Sequence, residues 1–425
     1  MKKILIISYY WPPKGGVGVQ RWLKLSKYLA KENTEITVYT PEGVGSNLKD
    51  NQLSVPNEKN FNVIKTSIFE PQKLLKSIFN FQYSSDFLVR PKNRFMDEIL
   101  IFLRSNFFIP DTRCCWIRKS IKYLDNYLQS NQIDVIISTG PPHSMHLIAE
   151  RIKHLHNVKW IADFRDPWTD IEYFDKIKLI SFVRKKHFQL EKKVLSRADL
   201  VISVSPSWTK KFHDLGAKKT FCLPNGFDSE DYKIFTKNNN RGFKIGHFGI
   251  YNELRDYNVL WKALSELINS NNKFKSDLKL FFAGEVHNLF FQNIDSYNLS
   301  SHLQYHSYIN HVQSISNMLQ CDLLLVTQGE TKSVSGRIPA KVFEYLKARR
   351  PILAIGKKNS DLYNLLKNIS YSYFVDYNNI NTNKLKDVIL QIYHDNQLDY
   401  NFSDDISQFC RQYQAKQLLK EIHNL

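Results

Sequence analysis

Five groups of residues combine side-chain types and spacings that can do chemistry, each where a short apolar run gives way to polar residues. Gly15-Gly16-Val17-Gly18-Val19-Gln20 precedes an amphipathic stretch at 21–29. Glycine lets the backbone approach a ligand, and a helix start offers unpaired N–H groups to an anion, which makes Gly16 and Gly18 candidate phosphate contacts. A tight strand-to-helix turn accounts for the same residues. The run is not a dinucleotide fingerprint, because Arg21 occupies the third glycine position. Ser138-Thr139-Gly140-Pro141-Pro142-His143-Ser144 closes an apolar run and sets the His143 imidazole at a strand end, as a reacting group or as an ordinary structural histidine. Asp163-Phe164-Arg165-Asp166-Pro167-Trp168 follows another such run. There Asp163 could orient a hydroxyl or accept a proton and Arg165 could hold phosphate, or the pair could simply fix its loop.

The other two groups lie in the second half. Gly246-His247-Phe248-Gly249 is followed by Arg255, a cation that would neutralise a diphosphate or else remain solvated. In Ser335-Gly336-Arg337-Ile338-Pro339-Ala340-Lys341-Val342-Phe343-Glu344 a Gly/Pro turn feeds a helix with Lys341 in its first turn and Glu344 on the same face. A lysine at a helix start suits phosphate and a carboxylate suits the paired hydroxyls of a ribose. The plainer alternative is a surface pair worth about 0.2–0.5 kcal/mol.

Positioning these groups takes elements that end side by side. Apolar runs at 4–8, 36–39, 135–138, 160–162 and 200–204 alternate with amphipathic stretches, which predicts a parallel sheet covered by helices. A second series, at 244–248, 278–283, 323–326 and 352–354 with helices at 259–268 and 340–347, repeats the architecture without repeating the sequence. The expected fold is α/β, two Rossmann-like doubly wound domains facing across a cleft at their strands' carboxyl ends. The expected boundaries are 1–227, a polar linker at 228–242, a second domain at 243–405, and a last helix within 406–425 that packs back on the first domain.

At 425 residues the chain exceeds what one core usually serves, and 43% hydrophobic residues exclude a disordered chain. The net charge of +18 calls for a polyanionic neighbour, nucleic acid, an anionic membrane or a phosphorylated substrate; the plainer alternative for part of the excess is an AT-biased coding sequence, which inflates Lys along with the neutral Asn and Ile. Five cysteines lack metal-ligand spacing and read as reduced core residues of a cytoplasmic protein. The basic and apolar start imitates a leader peptide, but Pro12-Pro13-Lys14 and the glycine loop follow it, so it is expected to be the first buried strand.

Ala198-Asp199-Leu200-Val201-Ile202-Ser203-Val204-Ser205, followed by Leu223-Pro224-Asn225-Gly226-Phe227-Asp228, resembles the signature of the family-4 glycosyltransferases, retaining enzymes of the GT-B fold. Phe282-Ala283-Gly284-Glu285, Cys321-Asp322-Leu323 and Phe343-Glu344-Tyr345-Leu346 with Pro351-Ile352 extend the likeness over nearly the whole chain. The resemblance implies a nucleotide diphosphate sugar as donor, with Glu344 on the ribose and Arg255 on the diphosphate; Gly249, Gly284, Gly336 and Lys341 are further candidate donor contacts from their own places in the sequence, not from the resemblance. The chain departs from the family where the acid eight residues before Glu344 would stand, at Gly336, and where Lys-Gly would follow the arginine, near Tyr257-Asn258. Backbone amides at Gly336 and the Lys341 charge are expected to substitute.

Such a transferase is expected to act without metal or permanent cofactor, with His143, Asp163 or Arg165 near the reacting sugar. Its acceptor would be a glycan or a polyprenyl-linked sugar, in capsule, lipopolysaccharide or exopolysaccharide synthesis. The basic, aromatic stretch 73–122, with Arg184-Lys185-Lys186, would rest on an anionic membrane at the inner face of the plasma membrane, or be a solvated face over an ordinary core. The rivals are a GT-B-like sugar nucleotide epimerase and a basic nucleic-acid-binding protein, the latter without a reading motif, so no nucleic acid is expected.

Overall fold

The computed structural model describes residues 1–43, 50, 53–69, 94–171, 174–232, 242–395 and 403–425. They form two units, Met1–Pro224 with Gln412–Leu425, and Asn225–Arg411. The division therefore falls at Pro224, ahead of the expected 227, and residues 406–411 go with the second unit. The expected linker begins with a 3-10 turn, Ser229–Tyr232, inside that unit, and its 233–241 stretch lies outside the described residues.

The first unit holds a parallel sheet of β1 (Lys2–Ile7), β2 (Thr34–Glu42), β3 (Phe61–Ser67), β4 (Val135–Gly140), β5 (Lys159–Phe164), β6 (Leu200–Ser203) and β7 (Thr220–Cys222), in the order β3-β2-β1-β4-β5-β6-β7. Its central strand shows why both faces are covered. Ile4 and Ile6 join a core with Trp22, while Leu5 and Ile7 join another with Trp116 and Trp160. Because strand side chains alternate between faces, a run apolar at every position requires helices on both sides. The last helix, Arg411–His423, belongs to the first of these layers, where Ala415, Leu418 and Ile422 are buried beside Ile4 and Ile6.

The second unit repeats the plan with β8 (Phe243–Phe248), β9 (Leu278–Ala283), β10 (Leu303–His306), β11 (Leu323–Thr327), β12 (Ile352–Gly356) and β13 (Ser372–Asp376), in the order β10-β9-β8-β11-β12-β13. Leu323 and Leu325 enter one core, Leu324 and Val326 the other. In each sheet the strand order reverses, between β1 and β4 and between β8 and β11. Doubly wound sheets bind ligands at the carboxyl ends of such strands.

The strands that sequence reading missed lie at or toward sheet edges: β3, β7, β10 and β13. Most of their residues are half-buried or exposed, so they lack the continuous apolar runs that mark the central strands. Of the basic aromatic stretch, residues 73–93 lie outside the described residues. Trp116, expected on that face, is instead fully buried and stacked on Tyr39 at 5.0 Å.

Candidate functional site

In the second unit, β8 leads into Gly249 and β9 into Gly284, and these turns interlock. Gly249 N–H donates to Ala283 O at 2.7 Å. Gly284 has φ +131°, and a Cβ there would lie 2.4 Å from Gly249 O, so only glycine fits. A Cβ on Gly249 would lie 3.8 Å from the Lys341 amine, which locates that amine against the turn. Lys341 opens the helix Lys341–Ala348 and donates to His247 Nε2 at 2.6 Å. His247 is buried and stacked on Phe282. Burial, then the Lys341 and Arg255 cations, hold its pKa well below the usual range, so the ring is neutral. Burial and Arg255 likewise push the Lys341 amine well down, against a smaller opposing pull from Glu344.

Arg255 ends the 3-10 turn Glu253–Arg255 and donates to Ile250 O at 3.2 Å. Its neighbour Asp256 anchors the segment. Asp256 accepts from Asn293 Nδ2 at 2.7 Å and Trp261 Nε1 at 2.5 Å, and pairs with His287 Nε2 at 2.7 Å. The cation thus projects from a loop whose next residue is tied to two helices, through Trp261 and Asn293, and to the loop that carries His287. Glu344 lies on the Lys341 helix with Oε1 2.9 Å from His311 Nε2, while Tyr232 donates to its backbone carbonyl at 3.0 Å. His311 also lies 3.8 Å from Asp231.

Gly336 is buried at the end of the 3-10 turn Lys332–Gly336. The loop is held by the buried Gln328 side chain, which donates to Arg337 O at 2.7 Å and accepts from Lys357 N–H at 3.1 Å. Near it the hydroxyls of Thr327, Thr331 and Ser333 are buried without a hydrogen-bond partner. Leaving such a group unpaired costs about 1–3 kcal/mol, which a bound polar ligand or water would offset. Gly249, Gly284, Arg255, Lys341 and Glu344 therefore gather at the carboxyl ends of β8 and β9 and the loop after β11. His247 stood in the quoted Gly246–Gly249 group without a role of its own, and His311, Gln328 and Asp256 were missed by sequence reasoning; each is a lone polar residue whose partner lies elsewhere along the chain.

In the first unit, Gly16 caps the helix Val17–Ala30 with φ 99° and no side-chain cap. At Gly18 a Cβ would lie 2.2 Å from Arg165 Nη1, so the guanidinium passes directly over the helix start. Arg165 also donates to Gly140 O at 3.3 Å and to Pro141 O, joining the glycine loop to the His143 loop.

Asp163 departs from its expected role. It is fully buried and paired with Arg21, Nη2 to Oδ1 at 2.8 Å, and accepts from Trp22 Nε1 at 2.7 Å and Thr139 Oγ1 at 2.8 Å. With no open face it cannot meet a sugar in this conformation; it pins β5 to the first helix. Burial alone would raise its pKa, but Arg21 and these donors hold it below the usual carboxylate range. Arg21 in turn donates to Leu223 O at 2.9 Å and Pro224 O at 3.0 Å, so this buried pair also fixes the segment leading out of the unit.

His143 is 6% exposed, lies flat on Trp168 at 4.6 Å, and has no hydrogen-bond partner at either ring nitrogen. Burial, with smaller contributions from His146, Arg165 and His187, holds it neutral. It lines a cavity of ≈ 150 Å³ with Tyr10, Arg104, Asp111, Arg113 and His187. Among the described residues no cluster of three or more His, Cys, Asp or Glu side chains is arranged for a metal ion.

Residues 15–231 match the family model described as Glycosyltransferase Family 4. No curated protein sequence matches the chain. Among solved structures it is similar to sucrose-phosphate synthase from Thermosynechococcus elongatus, with TM-score 0.67, 12% identity and coverage of 100% of this chain and 99% of that one. It is also similar to Anabaena HepE in complex with UDP and glucose, with TM-score 0.63, 13% identity and full coverage (100%) of both. UDP-GlcNAc 2-epimerase from Methanocaldococcus jannaschii has TM-score 0.51 at 10% identity, again covering 100% of each chain. These likenesses are to proteins with the two Rossmann-like domains of the GT-B fold.

Proposed function

The chain belongs to glycosyltransferase family 4, and from that premise we propose that it transfers a sugar from a nucleotide diphosphate donor, with retention and without metal, to a glycan or lipid-linked acceptor of a bacterial surface polysaccharide. The observation that carries the donor half is the meeting of Arg255, Lys341 and His247 in one electrostatic group, with Glu344 three residues along the Lys341 helix. As the anomeric C–O bond breaks, negative charge grows on the departing diphosphate, and donors already aimed at it are the largest source of rate. Arg255 and Lys341 meet that charge without reorganisation, while Glu344, held by His311, accepts from the ribose hydroxyls. The new bond forms to an acceptor oxygen, and its proton goes to the departing diphosphate, the group whose basicity rises in that step.

UDP heads the donor candidates, because Anabaena HepE, of the same fold, was solved with UDP and with UDP-glucose. The test is a thermal-shift screen of UDP, GDP, dTDP and ADP sugars. A ligand at 100 times its Kd should stabilise by about 2.7 kcal/mol. Arg255→Ala and Glu344→Ala should each abolish that shift; full binding by both variants would overturn the site. The fold likeness to a 2-epimerase supports one rival reading. Donor consumed without acceptor, giving free nucleotide and an isomerised sugar, would favour it.

We assign the protein to the cytoplasm, peripheral on the inner membrane face. The support is the net charge of +18 together with Arg184, Lys185 and Lys192 flanking the exposed Phe188 in a shallow groove. Among the described residues no helix is long and apolar enough to cross a membrane.

A further inference from the structure

Resting on the transferase reading, we infer that the cavity beside His143 is the acceptor site and that its ligand is an amphiphile, an apolar chain ending in a phosphate-linked, hydroxyl-bearing head. The chemistry of the walls divides in that way. Ile101, Phe108, Phe174, Ile177 and Leu179 supply an apolar side, and Arg104 and Arg113 supply cations. The acid among them, Asp111, is already committed: it accepts from Ser144 N–H at 2.9 Å, Ser144 Oγ at 2.8 Å and Arg113 N–H at 2.9 Å. Arg113 is held as well, donating to Thr112 Oγ1 and lying over the Tyr9 ring at 4.7 Å, but a guanidinium carries five N–H donors and keeps its charge when some are used, so the wall is cationic and apolar in character.

His143 supplies the independent sign of a ligand. A buried imidazole with both nitrogens unpartnered forfeits hydrogen bonds it would have in water. Its ring is clamped by Trp168, whose own Nε1 donates to His187 Nδ1 at 3.0 Å and whose backbone N–H donates to the buried Glu191 at 3.1 Å. Nδ1 lies toward Gly140, where a Cβ would be 3.1 Å away, and a neutral ring can accept from or donate to a ligand hydroxyl at Nε2.

Size and surroundings indicate where the chain goes. A cavity of ≈ 150 Å³ holds a ring-sized group and not a long lipid. The same two segments that wall it continue outward into exposed apolar residues: Phe107 at 74% and Leu103 at 43% on the helix Arg94–Phe107, and Phe182 at 73% and Ile180 at 49% after Leu179. Asn106 ties the segments together, donating to Lys178 O at 3.0 Å and accepting from Ile180 N–H at 2.9 Å. The head enters the cavity and the chain lies along this rim. A free, wholly polar glycan would leave both apolar surfaces unused.

Binding of farnesyl phosphate below its micellar concentration, followed by tryptophan fluorescence, tests this, with farnesol and inorganic phosphate as partial ligands. Farnesyl phosphate should bind at least tenfold more tightly than either. Leu179→Trp, which fills the cavity, and Arg104→Ala should each weaken it at least tenfold. Both variants should keep the full UDP-sugar thermal shift, which certifies their folding. Equal farnesyl phosphate affinity in wild type and both variants, or no binding at all by a protein that binds a sugar nucleotide, would overturn the acceptor assignment alone. Failure to bind any sugar nucleotide would overturn the transferase reading on which it rests.

Discussion

An amine and an imidazole 2.6 Å apart cannot comfortably both be charged, and this fixes how the donor site answers to pH. In the free protein Lys341 is depressed by burial and by Arg255, with only Glu344 opposing, and His247 is depressed by burial and by the Lys341 and Arg255 cations. A diphosphate brings in negative charge and restores the protonated amine, so binding should draw in protons. Affinity for a nucleoside diphosphate should therefore rise as pH falls through the range in which free Lys341 titrates. Calorimetry in buffers of different ionisation heat would record the uptake. Lys341→Met should remove it and weaken binding about tenfold, or ~1.4 kcal/mol; an affinity indifferent to pH would assign the neutralisation to Arg255 alone. At this scale the sequence was partly legible. Lys341 and Glu344 could be picked out because a helix start and helical spacing give them a readable context. His311 and Asp256 had none, and His247 stood in a readable motif with no sign of its partner Lys341, because such partners arrive only through the fold.

At the scale of elements, the Asp163–Arg21 pair shows what position alone conceals. The aspartate stands at a strand end, where function gathers, yet the first helix covers it completely. Asp163→Asn would leave the Arg21 charge buried without its partner, and should destabilise the first unit by about 3–5 kcal/mol in chemical denaturation. The native carboxylate's pKa is lowered, so its contribution is present above the unfolded value of about 3.9 and is lost as pH falls through the folded value. The imidazoles act in a higher window. His146, held down to about 3, and His187, to about 4, must stay neutral in the fold. Stability should therefore decline as pH drops below the unfolded histidine value of about 6.5 and continue to fall toward those values. In the second unit, Gly284→Ala would force a Cβ against Gly249 O. It should cost at least 1–3 kcal/mol and abolish the sugar-nucleotide thermal shift. The central strands that carry these sites were legible because burial on both faces leaves a continuous apolar run. The edge strands were not, because half-burial erases that run.

For the whole molecule, the charge of +18 and the exposed aromatic rim lead to a membrane prediction. The protein should float with vesicles containing anionic lipid at low salt and be released as salt rises. Phe107→Ser with Phe182→Ser should weaken that retention while leaving sugar-nucleotide binding unchanged, and equal retention on neutral vesicles would refute an electrostatic contact. The chain also crosses between its units twice, after Pro224 and after Arg411. Within the second unit the crossing segments run side by side, Phe227 N–H donating to Phe409 O at 3.0 Å and Arg411 N–H to Phe227 O at 2.9 Å. Within the first, Gln414 reaches Pro224 O at 3.1 Å, the carbonyl that Arg21 also holds. Leu418→Ala should cost about 2–5 kcal/mol of first-unit stability, although it lies far from that unit in sequence. During synthesis, residues 412–425 leave the ribosome only after the whole second unit has been made. Until then the core of Ile4, Ile6 and Trp22 lacks the part of its cover that Ala415, Leu418 and Ile422 supply, and the nascent protein exposes the kind of apolar strip that chaperones hold. A frameshift or stop codon just ahead of residue 411 would thus be read by the cell as a folding defect in the domain translated first.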